Sequence, residues 1–566
     1  MSSKQFRAVV AAALIAAIGV PTLAQGTSGD YLAARQARLA SDYRAAVHYY
    51  IRALGSDPEN AQMLEGAALS QLSLGELERA VSIARRMDDA AIRSQVASMV
   101  LIADDVAAGR WQGVLDRVAA DKGIGPLIDG LLSAWARVGL GDMTGALAGF
   151  DAVAEQRGLA SFAHYHRALA LAMVGDYEAA EAIYAGQDGG SLQMTRRGAM
   201  ARIEVLSQLG QPGEALKLMA ALFGGDLDPA LAAMKQALEA GEVLPFSHAR
   251  SAADGVAEVF YSVAVALRGE AGYDYTLLYS RVAEYLRRDH IDALLMSAEL
   301  LEDLHRPELA VETYRRVPRD NPAFHAAELG RAAALRAAGR DDAALEVLAQ
   351  LATTHGDLAI VHATMGDILR TGAQYEAAIR AYEAALELYA VDDNGRWFAH
   401  YARGICYERL GERADAEADF RAALELRPDQ PQVLNYLGYS LVEANEKLDE
   451  ALSMIERAAA AQPDSGYIID SLGWVLYRLG RYEEAVGHME HATELMPVDP
   501  VVNDHLGDVY WAVGREMEAQ FQWQRALSFG PEEPEAARIR RKIKVGLHAV
   551  LAEEGAEPLT VAGDDR

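Results

Sequence analysis

The chain has 566 residues, of which 51% are hydrophobic, so it can form a large apolar core. Its formal net charge of −29 at pH 7 repels DNA, RNA and anionic lipid, which argues against nucleic-acid binding. An acidic surface also keeps a protein soluble, so the charge alone does not identify a basic partner. The single cysteine, Cys406, cannot form an internal disulfide, and its helical context indicates a small packing residue rather than a nucleophile.

The first 24 residues have the pattern of a secretory signal peptide. Lys4 and Arg7 supply the positive start, residues 8–20 form a short apolar run, and Ala24 is a small residue at the cleavage point. The run is too short for a typical membrane-spanning helix. We expect cleavage after Ala24 and a periplasmic or exported protein, with retention as an N-terminal anchor as the alternative. No cysteine stands near the cleavage point, so a lipid-modified N-terminus is not expected.

Alanine-centred positions then recur mostly every 34 residues. They are Ala46, Ala80, Val114, Ala146, Ala180, Ala215, Ala310, Ala344, Ala378, Ala416, Ala451, Ala485 and Ala519, with Val114 as the one substitution. A period of 34 residues is the signature of a helix–turn–helix repeat. Strand signals are nearly absent, so the predicted fold class is all-α, and we expect each repeat to contact mainly its neighbours in sequence.

The repeat register divides the chain into segments. In order, these are N-terminal repeats over 25–222, diverged helical repeats over 223–297, middle repeats over 298–390, near-ideal repeats over 391–535, and a capping helix with a disordered tail over 536–566. The segment 223–297 keeps helical apolar periodicity, and the step from Ala215 to Ala310 is close to a whole number of periods. We therefore predict diverged repeats there, with an inserted domain as the alternative. The capping helix is predicted as one amphipathic helix over 536–551.

The last four repeats show the unit most clearly. They share a glycine in the first helix, a large apolar residue in the second helix and a proline after it: Gly404, Gly438, Gly473 and Gly507; Phe420, Ile455, Met489 and Trp523; Pro428, Pro463, Pro497 and Pro531. These residues resemble the tetratricopeptide repeat (TPR). The resemblance implies a right-handed superhelical solenoid of antiparallel helix pairs. In that family the first helix of each repeat lines a concave groove that binds proteins or peptides.

Transferring the family's groove positions to the near-ideal repeats gives aromatic residues beside carboxylates. The residues are Tyr401, Ile405, Glu408, Asn435, Tyr439, Val442, Asp470, Trp474, Tyr477, Asp504, Asp508 and Trp511. Tyrosine and tryptophan are typical hot-spot residues of protein interfaces, and the carboxylates favour a basic or neutral peptide. The alternative for each aromatic residue is a place in the core between repeats.

Three stretches, residues 431–439, 470–474 and 503–508, are similar to exported proteobacterial TPR proteins. A related branch consists of outer-membrane adaptors that bind a carboxyl-terminal processing protease and present its substrates. The resemblance implies a non-catalytic periplasmic scaffold or adaptor whose partners are proteins, including a periplasmic protease. The alternative binding role is an envelope-biogenesis module for secretion or polysaccharide export.

The sequence contains none of the common catalytic motifs that we considered. The chain has no Gly-rich phosphate loop, no Gly-x-Ser-x-Gly motif and no paired cysteine ligands. His488 and His491 are three residues apart on a predicted helix, but no third ligand with metal-site spacing is nearby. We therefore expect no cofactor, no metal and no enzymatic activity, and an enzyme is the alternative from another functional class.

Overall fold

The computed structural model describes residues 24–187, 192–224, 227–391, 393–556 and 559. Within these residues every regular element is an α-helix, and consecutive helices pack as pairs, which confirms the all-α prediction. None of these helices is both long and apolar enough to span a bilayer. The predicted signal peptide, except Ala24, lies outside the described residues, as does most of the predicted tail beyond 556.

Two compact units divide the chain between Val347 and Leu348. The division falls inside a helix of the middle repeats that were predicted over 298–390. The helices of the first unit, including the one that crosses the division, are α1 (Ala24–Leu39), α2 (Tyr43–Leu54), α3 (Ala61–Ser73), α4 (Leu77–Asp89), α5 (Gln95–Ala107), α6 (Trp111–Ala119), α7 (Pro126–Gly139), α8 (Met143–Ala154), α9 (Ala160–Met173), α10 (Tyr177–Tyr184), α11 (Arg196–Gln208), α12 (Pro212–Phe223), α13 (Pro229–Glu239), α14 (Ala252–Leu267), α15 (Tyr273–Leu286), α16 (Ile291–Asp303), α17 (Pro307–Tyr314), α18 (Phe324–Ala337) and α19 (Asp341–His355).

The second unit continues the helix pairs to the end of the described chain. Its helices are α20 (Ala359–Thr371), α21 (Tyr375–Leu388), α22 (Arg396–Arg409), α23 (Arg413–Leu426), α24 (Pro431–Glu443), α25 (Leu448–Ala461), α26 (Gly466–Arg478), α27 (Tyr482–Leu495), α28 (Pro500–Ala512), α29 (Glu516–Ser528), α30 (Glu533–Val545) and α31 (Leu547–Glu554). The single capping helix predicted over 536–551 is wrong, because Gly546 has a φ of +84° and separates α30 from α31.

Close approach of paired helices explains the glycines of the repeat. A Cβ added to Gly473 would lie 2.5 Å from Met489 Sδ, and one added to Gly507 would lie 2.5 Å from the Trp523 ring. In each case the predicted large residue of the second helix fills the space that the missing side chain leaves. Two features that the repeat pattern singles out, the glycine and the large apolar residue, thus contact each other in the structure. Cys406 is fully buried beside these repeats, as predicted for a packing residue.

Helices α14 and α15 pack differently from the other pairs of the first unit. They contact each other, but α14 also packs against α7 and α9, and α15 packs against α3 and α5. Gly255 of α14 lies against the ring of Trp135, and Arg281 Nε donates a hydrogen bond to the carbonyl of Ser73 at 3.2 Å. Each of these two residue contacts joins residues that are more than 100 positions apart in the sequence. The expectation that each repeat contacts mainly its sequence neighbours is therefore corrected for this segment.

Buried charged residues help to hold the hairpin formed by α14 and α15 in place. Glu258 of α14 accepts hydrogen bonds from Arg197 Nε at 2.7 Å and from the Tyr165 hydroxyl at 2.9 Å, and it lies 3.2 Å from His290 Nε2. Burial raises the pKa of Glu258, but Arg197 and His290 outweigh burial and hold it well below its ordinary value. A carboxylate with this many donors is ionised and satisfied. The hairpin is thus bound to the first helices of the earlier repeats by polar contacts as well as by packing.

Candidate partner-binding groove of the C-terminal unit

The first helices of the near-ideal repeats bring several of the predicted residues together. A cleft of about 440 Å³ opens between α24, α26, α28 and α30. Its lining includes Tyr439, Trp474 and Asp504, which come from three successive repeats, as predicted, and also residues that the sequence did not single out. We call this the C-terminal cleft; the additional lining residues are Glu443, Arg478, Pro500, Val501, His505, Pro531, Glu535, Arg538 and Ile539.

Trp474 lines the C-terminal cleft and makes several contacts within the repeat stack. Its Nε1 donates a hydrogen bond to Glu443 Oε1 at 3.0 Å. Its indole stacks on the Tyr477 ring, with centroids 4.8 Å apart, and on the His505 imidazole at 4.0 Å, each with an interplanar angle of 12°. Only 9% of Trp474 is exposed. Trp474 and Tyr477 therefore support the repeat stack as well as facing the cleft, so replacing Trp474 would change stability together with any binding.

His505 is a functional-site residue that sequence reasoning missed. Its Nδ1 lies 3.0 Å from Asp470 Oδ2, and its ring is buried against Trp474. Burial lowers the pKa of His505, but the carboxylate of Asp470 outweighs burial and raises it above the ordinary value. The available signal was its place within the stretch 503–508. Asp470 is consequently held by His505 and does not stand free in the groove.

Lys542 bears on the prediction that Asp504 and Asp508 favour a basic or neutral peptide. The Lys542 Nζ lies 2.6 Å from Asp504 Oδ1 and 2.6 Å from Asp508 Oδ1, and the lysine is fully buried. Trp523 Nε1 donates a further hydrogen bond to Asp508 at 2.8 Å. Because α30 packs over the last repeat, the chain supplies its own cation at this position. A partner cannot reach Asp508 unless this part of the chain moves.

Trp511 belongs to the same covered end of the groove. Its ring lies 5.4 Å from the Trp523 ring and 6.1 Å from the His548 imidazole. Gly546, at the break between α30 and α31, also approaches the Trp511 ring. The aromatic residue predicted for partner binding at the last repeat is therefore packed against the C-terminal helices, which is the core alternative that the sequence left open.

The opposite end of the predicted stripe is an aromatic cluster. The Tyr401 ring lies 5.5 Å from Tyr436, 6.2 Å from Phe420 and 6.4 Å from Trp397. Tyr401 is half-buried between α22 and α24, and it joins two repeats while keeping part of its surface accessible. Ile405 and Val442 are buried, so these two groove positions are core.

Asn435 and Glu408 are among the residues of these first helices that have a buried acceptor without a hydrogen-bond donor in the described part of the chain. Asn435 is 6% exposed, and its Oδ1 has no hydrogen-bond partner. The Oε2 atom of Glu408, on the preceding repeat, is also buried without one. Buried acceptors without donors are costly, so these two positions weaken the packing of the repeat stack locally.

An exposed apolar stripe follows the same helices at a position one turn before the predicted residues. The second or third residues of α20, α22, α26 and α28 are Ile360, Phe398, Tyr467 and Val501, with exposures of 47%, 36%, 50% and 47%; Gln432 has the equivalent place in α24. We call these four apolar residues the apolar ridge. Large apolar side chains at equivalent repeat positions are exposed to solvent here, and such surfaces mark interaction sites. Sequence reasoning missed them because it carried over only later groove positions.

Comparison with known proteins supports the repeat assignment. Three family profiles described as tetratricopeptide repeat match the chain, the first over residues 31–94, 295–357 and 436–500, the second over 359–392 and the third over 397–430. A TPR repeat-containing protein of Pseudomonas aeruginosa is 31% identical over 183 residues. That match covers 32% of this chain and 30% of the relative, so the chain spans about a third of that relative's length.

Solved structures of low sequence identity also match the chain. The Cut9–Hcn1 assembly of the APC/C matches at 15% identity with a TM-score of 0.39, covering 92% of this chain and 96% of the solved one. A TPR protein from Parabacteroides merdae matches at 17% identity with a TM-score of 0.36, covering 45% and 97%. The repeat register, the paired helices and the family profiles agree. The chain is therefore a member of the tetratricopeptide-repeat family, whose repeats serve as protein-interaction scaffolds.

Proposed function

We propose that this protein binds an extended segment of a partner protein along the first helices of its C-terminal unit and acts as a non-catalytic scaffold. The observation that carries this proposal is the apolar ridge. Ile360, Phe398, Tyr467 and Val501 stand at equivalent positions in four first helices and are each exposed by more than a third. A bound chain would remove this repeated apolar surface from water, which is favourable.

The N-terminal unit presents its first helices differently. Helices α3, α5, α7 and α9 contact α14 or α15, so the chain itself covers much of the face that would otherwise bind a partner. Phe260 and Tyr279 of this hairpin are buried. In the C-terminal unit, the C-terminal helices cover the groove at Asp508 and Trp511. The segment from Ile360 to the C-terminal cleft is thus the accessible region that we assign to the partner.

Hydrogen-bonding groups along this region fit a polypeptide backbone. Asn435 Oδ1 and Glu408 Oε2 lack donors, and because both atoms are buried, backbone N–H groups of a partner pair with them only after the local packing opens. Arg478 lines the C-terminal cleft and has no ion-pair or hydrogen-bond partner among the described residues. Its guanidinium offers donors to a carbonyl or carboxylate of the bound segment. The partner segment therefore combines apolar side chains with an accessible backbone.

Export and an adaptor role complete the proposal. The signal-like pattern with Lys4, Arg7 and Ala24 supports a periplasmic location. The stretches 431–439, 470–474 and 503–508 support an adaptor for envelope proteins, including a processing protease, because of their similarity to exported TPR proteins. The same stretches are compatible with a module for secretion or polysaccharide export. Identification of the partner distinguishes these roles.

The test uses the mature chain immobilised and exposed to periplasmic extract, followed by affinity measurement with the purified partner. Tyr467→Ala and Phe398→Ala remove ridge side chains that are already partly in solvent, so folding should be preserved. We expect each to weaken binding by about tenfold or more, as for interface aromatic residues. Phe521→Ala is the matched control, because Phe521 is 68% exposed on a second helix. Unchanged affinity in both ridge variants, or an equal loss in the control, would refute the assignment.

A further inference from the structure

A second pocket lies on the first two repeats of the N-terminal unit and has a charge opposite to that of the chain. It encloses about 470 Å³ between α1, α3 and the segment after α4. Its lining contains Arg35, Arg38 and Arg93, whereas Glu65 is the only carboxylate among its lining residues. A net positive pocket is unexpected in a protein with a net charge of −29. We call it the N-terminal pocket.

Two of the three arginines lack a carboxylate partner among the described residues, although the Arg38 guanidinium also hydrogen-bonds the Tyr50 hydroxyl. Arg35 and Arg38 are three residues apart on α1 and so lie on the same helix face. Neither has an ion-pair partner among the described residues, whereas the nearby Arg52 pairs with Asp30 at 3.1 Å. Arg93 pairs with Asp121 at 3.1 Å, but that pair is mostly exposed and contributes little. The pocket therefore presents uncompensated guanidinium groups.

The remaining walls of the pocket are aromatic and apolar. The Tyr31 hydroxyl donates a hydrogen bond to Gln62 Oε1 at 2.7 Å, which fixes the ring, and the Arg35 guanidinium lies 5.9 Å from the centre of that ring. Leu69 and Ile92 line the opposite side and are half-buried. A site with fixed guanidinium groups beside an apolar wall can hold a carboxylate and a neighbouring apolar side chain at the same time.

We propose that the N-terminal pocket binds an acidic segment of a protein partner, with one Asp or Glu carboxylate between Arg35 and Arg38 and an adjacent apolar side chain against Tyr31. Charge complementarity favours this occupant, because the pocket is positive. A nucleic acid would gain the same local contacts but would be repelled by the acidic surface elsewhere. This interaction is independent of the apolar ridge, since it involves a different unit of the chain and a ligand of different charge.

Fluorescence anisotropy with a labelled peptide tests the proposal on the full mature chain. The probe is Leu-Glu-Glu-Leu-Glu-Glu, and the matched peptide has glutamine at every glutamate. We expect the glutamate peptide to bind at least about tenfold more tightly, because charge-assisted hydrogen bonds to arginine are lost in the glutamine peptide. Its affinity should fall as salt is raised from about 0.05 to 0.5 M, since both charges are solvent-accessible.

Variants of the chain then locate the site. Arg35→Gln with Arg38→Gln should weaken the glutamate peptide by about tenfold or more, and Glu65→Gln should strengthen it, because the competing carboxylate is removed. Arg340→Gln, which replaces an exposed arginine elsewhere in the same unit, is the matched control and should have no effect. Equal binding of the two peptides would overturn the proposal. Wild-type affinity in a folded double variant, as judged by circular dichroism, would do so as well.

Discussion

Replacement of Lys542 by methionine tests how the C-terminal helices are held on the last repeat. The side chain is fully buried, and its Nζ lies 2.6 Å from an oxygen of both Asp504 and Asp508. Methionine keeps most of the volume and removes the charge, which leaves Asp508, at 1% exposure, with the more distant Arg538 guanidinium at 3.6 Å as its remaining cation. Breaking a buried ion pair in this way costs about 3–5 kcal/mol. Lys544→Met is the matched control, because Lys544 is exposed on the same helix two residues later.

Hydrogen exchange followed by mass spectrometry measures this loss of stability separately for each helix. A decrease of about 3 kcal/mol in the opening free energy accelerates exchange on the order of a hundredfold, and we expect this in α28, α30 and α31. Helices of the N-terminal unit should exchange at the wild-type rate. Asp508→Asn in the Lys542→Met background should recover part of the loss, because the buried carboxylate that has lost its nearest cation is gone. Equal exchange in Lys542→Met and Lys544→Met would refute the assigned role of the ion pair.

Three further predictions concern packing, pH and the cysteine. Gly255→Ala should destabilise the N-terminal unit by about 1–3 kcal/mol in urea denaturation, because its Cβ would lie 2.3 Å from the Trp135 ring; Gly487→Ala, with no neighbouring atom within 4 Å, should not destabilise the chain. The pKa of His505 is raised, since Asp470 outweighs burial, so wild type should lose stability relative to His505→Gln as pH rises above the ordinary value of 6.5, and a constant difference between pH 6 and 9 would contradict this. Burial raises the pKa of the Cys406 thiol to about 11, so a disulfide reagent should label it at pH 8 only after denaturation, and rapid labelling of the native chain would disprove its burial.

Sequence reasoning predicted what depends on local repetition. The spacing of alanines and glycines identified the paired helices and their shared small residues, and the structure shows Gly473 packed against Met489 and Gly507 against Trp523. The same spacing placed Tyr439, Trp474 and Asp504 on successive first helices, and the structure brings them together in the C-terminal cleft. Each of these relations joins residues within a repeat or in adjacent repeats.

Relations between distant parts of the chain could not be predicted in the same way. The helices α14 and α15 have ordinary apolar periodicity, which does not reveal that Gly255 packs on Trp135 or that Arg281 reaches Ser73. In the sequence, Lys542 is one of several basic residues between 538 and 544, and only the fold shows that it pairs with Asp508. A periodic pattern identifies which face of a helix is buried, but it does not identify the distant partner that buries it.

Site-specific photo-crosslinking tests most directly whether the C-terminal unit binds the partner. A photoreactive phenylalanine analogue is introduced separately at Tyr467 on the apolar ridge, at Val265 on the hairpin that covers the N-terminal repeats, and at Phe521 on a second helix, all of which are exposed. Each protein is irradiated with the partner recovered from periplasmic extract. The proposed groove predicts a covalent adduct from position 467 and none from 265 or 521. Adducts from 265 or 521 together with none from 467 would contradict it.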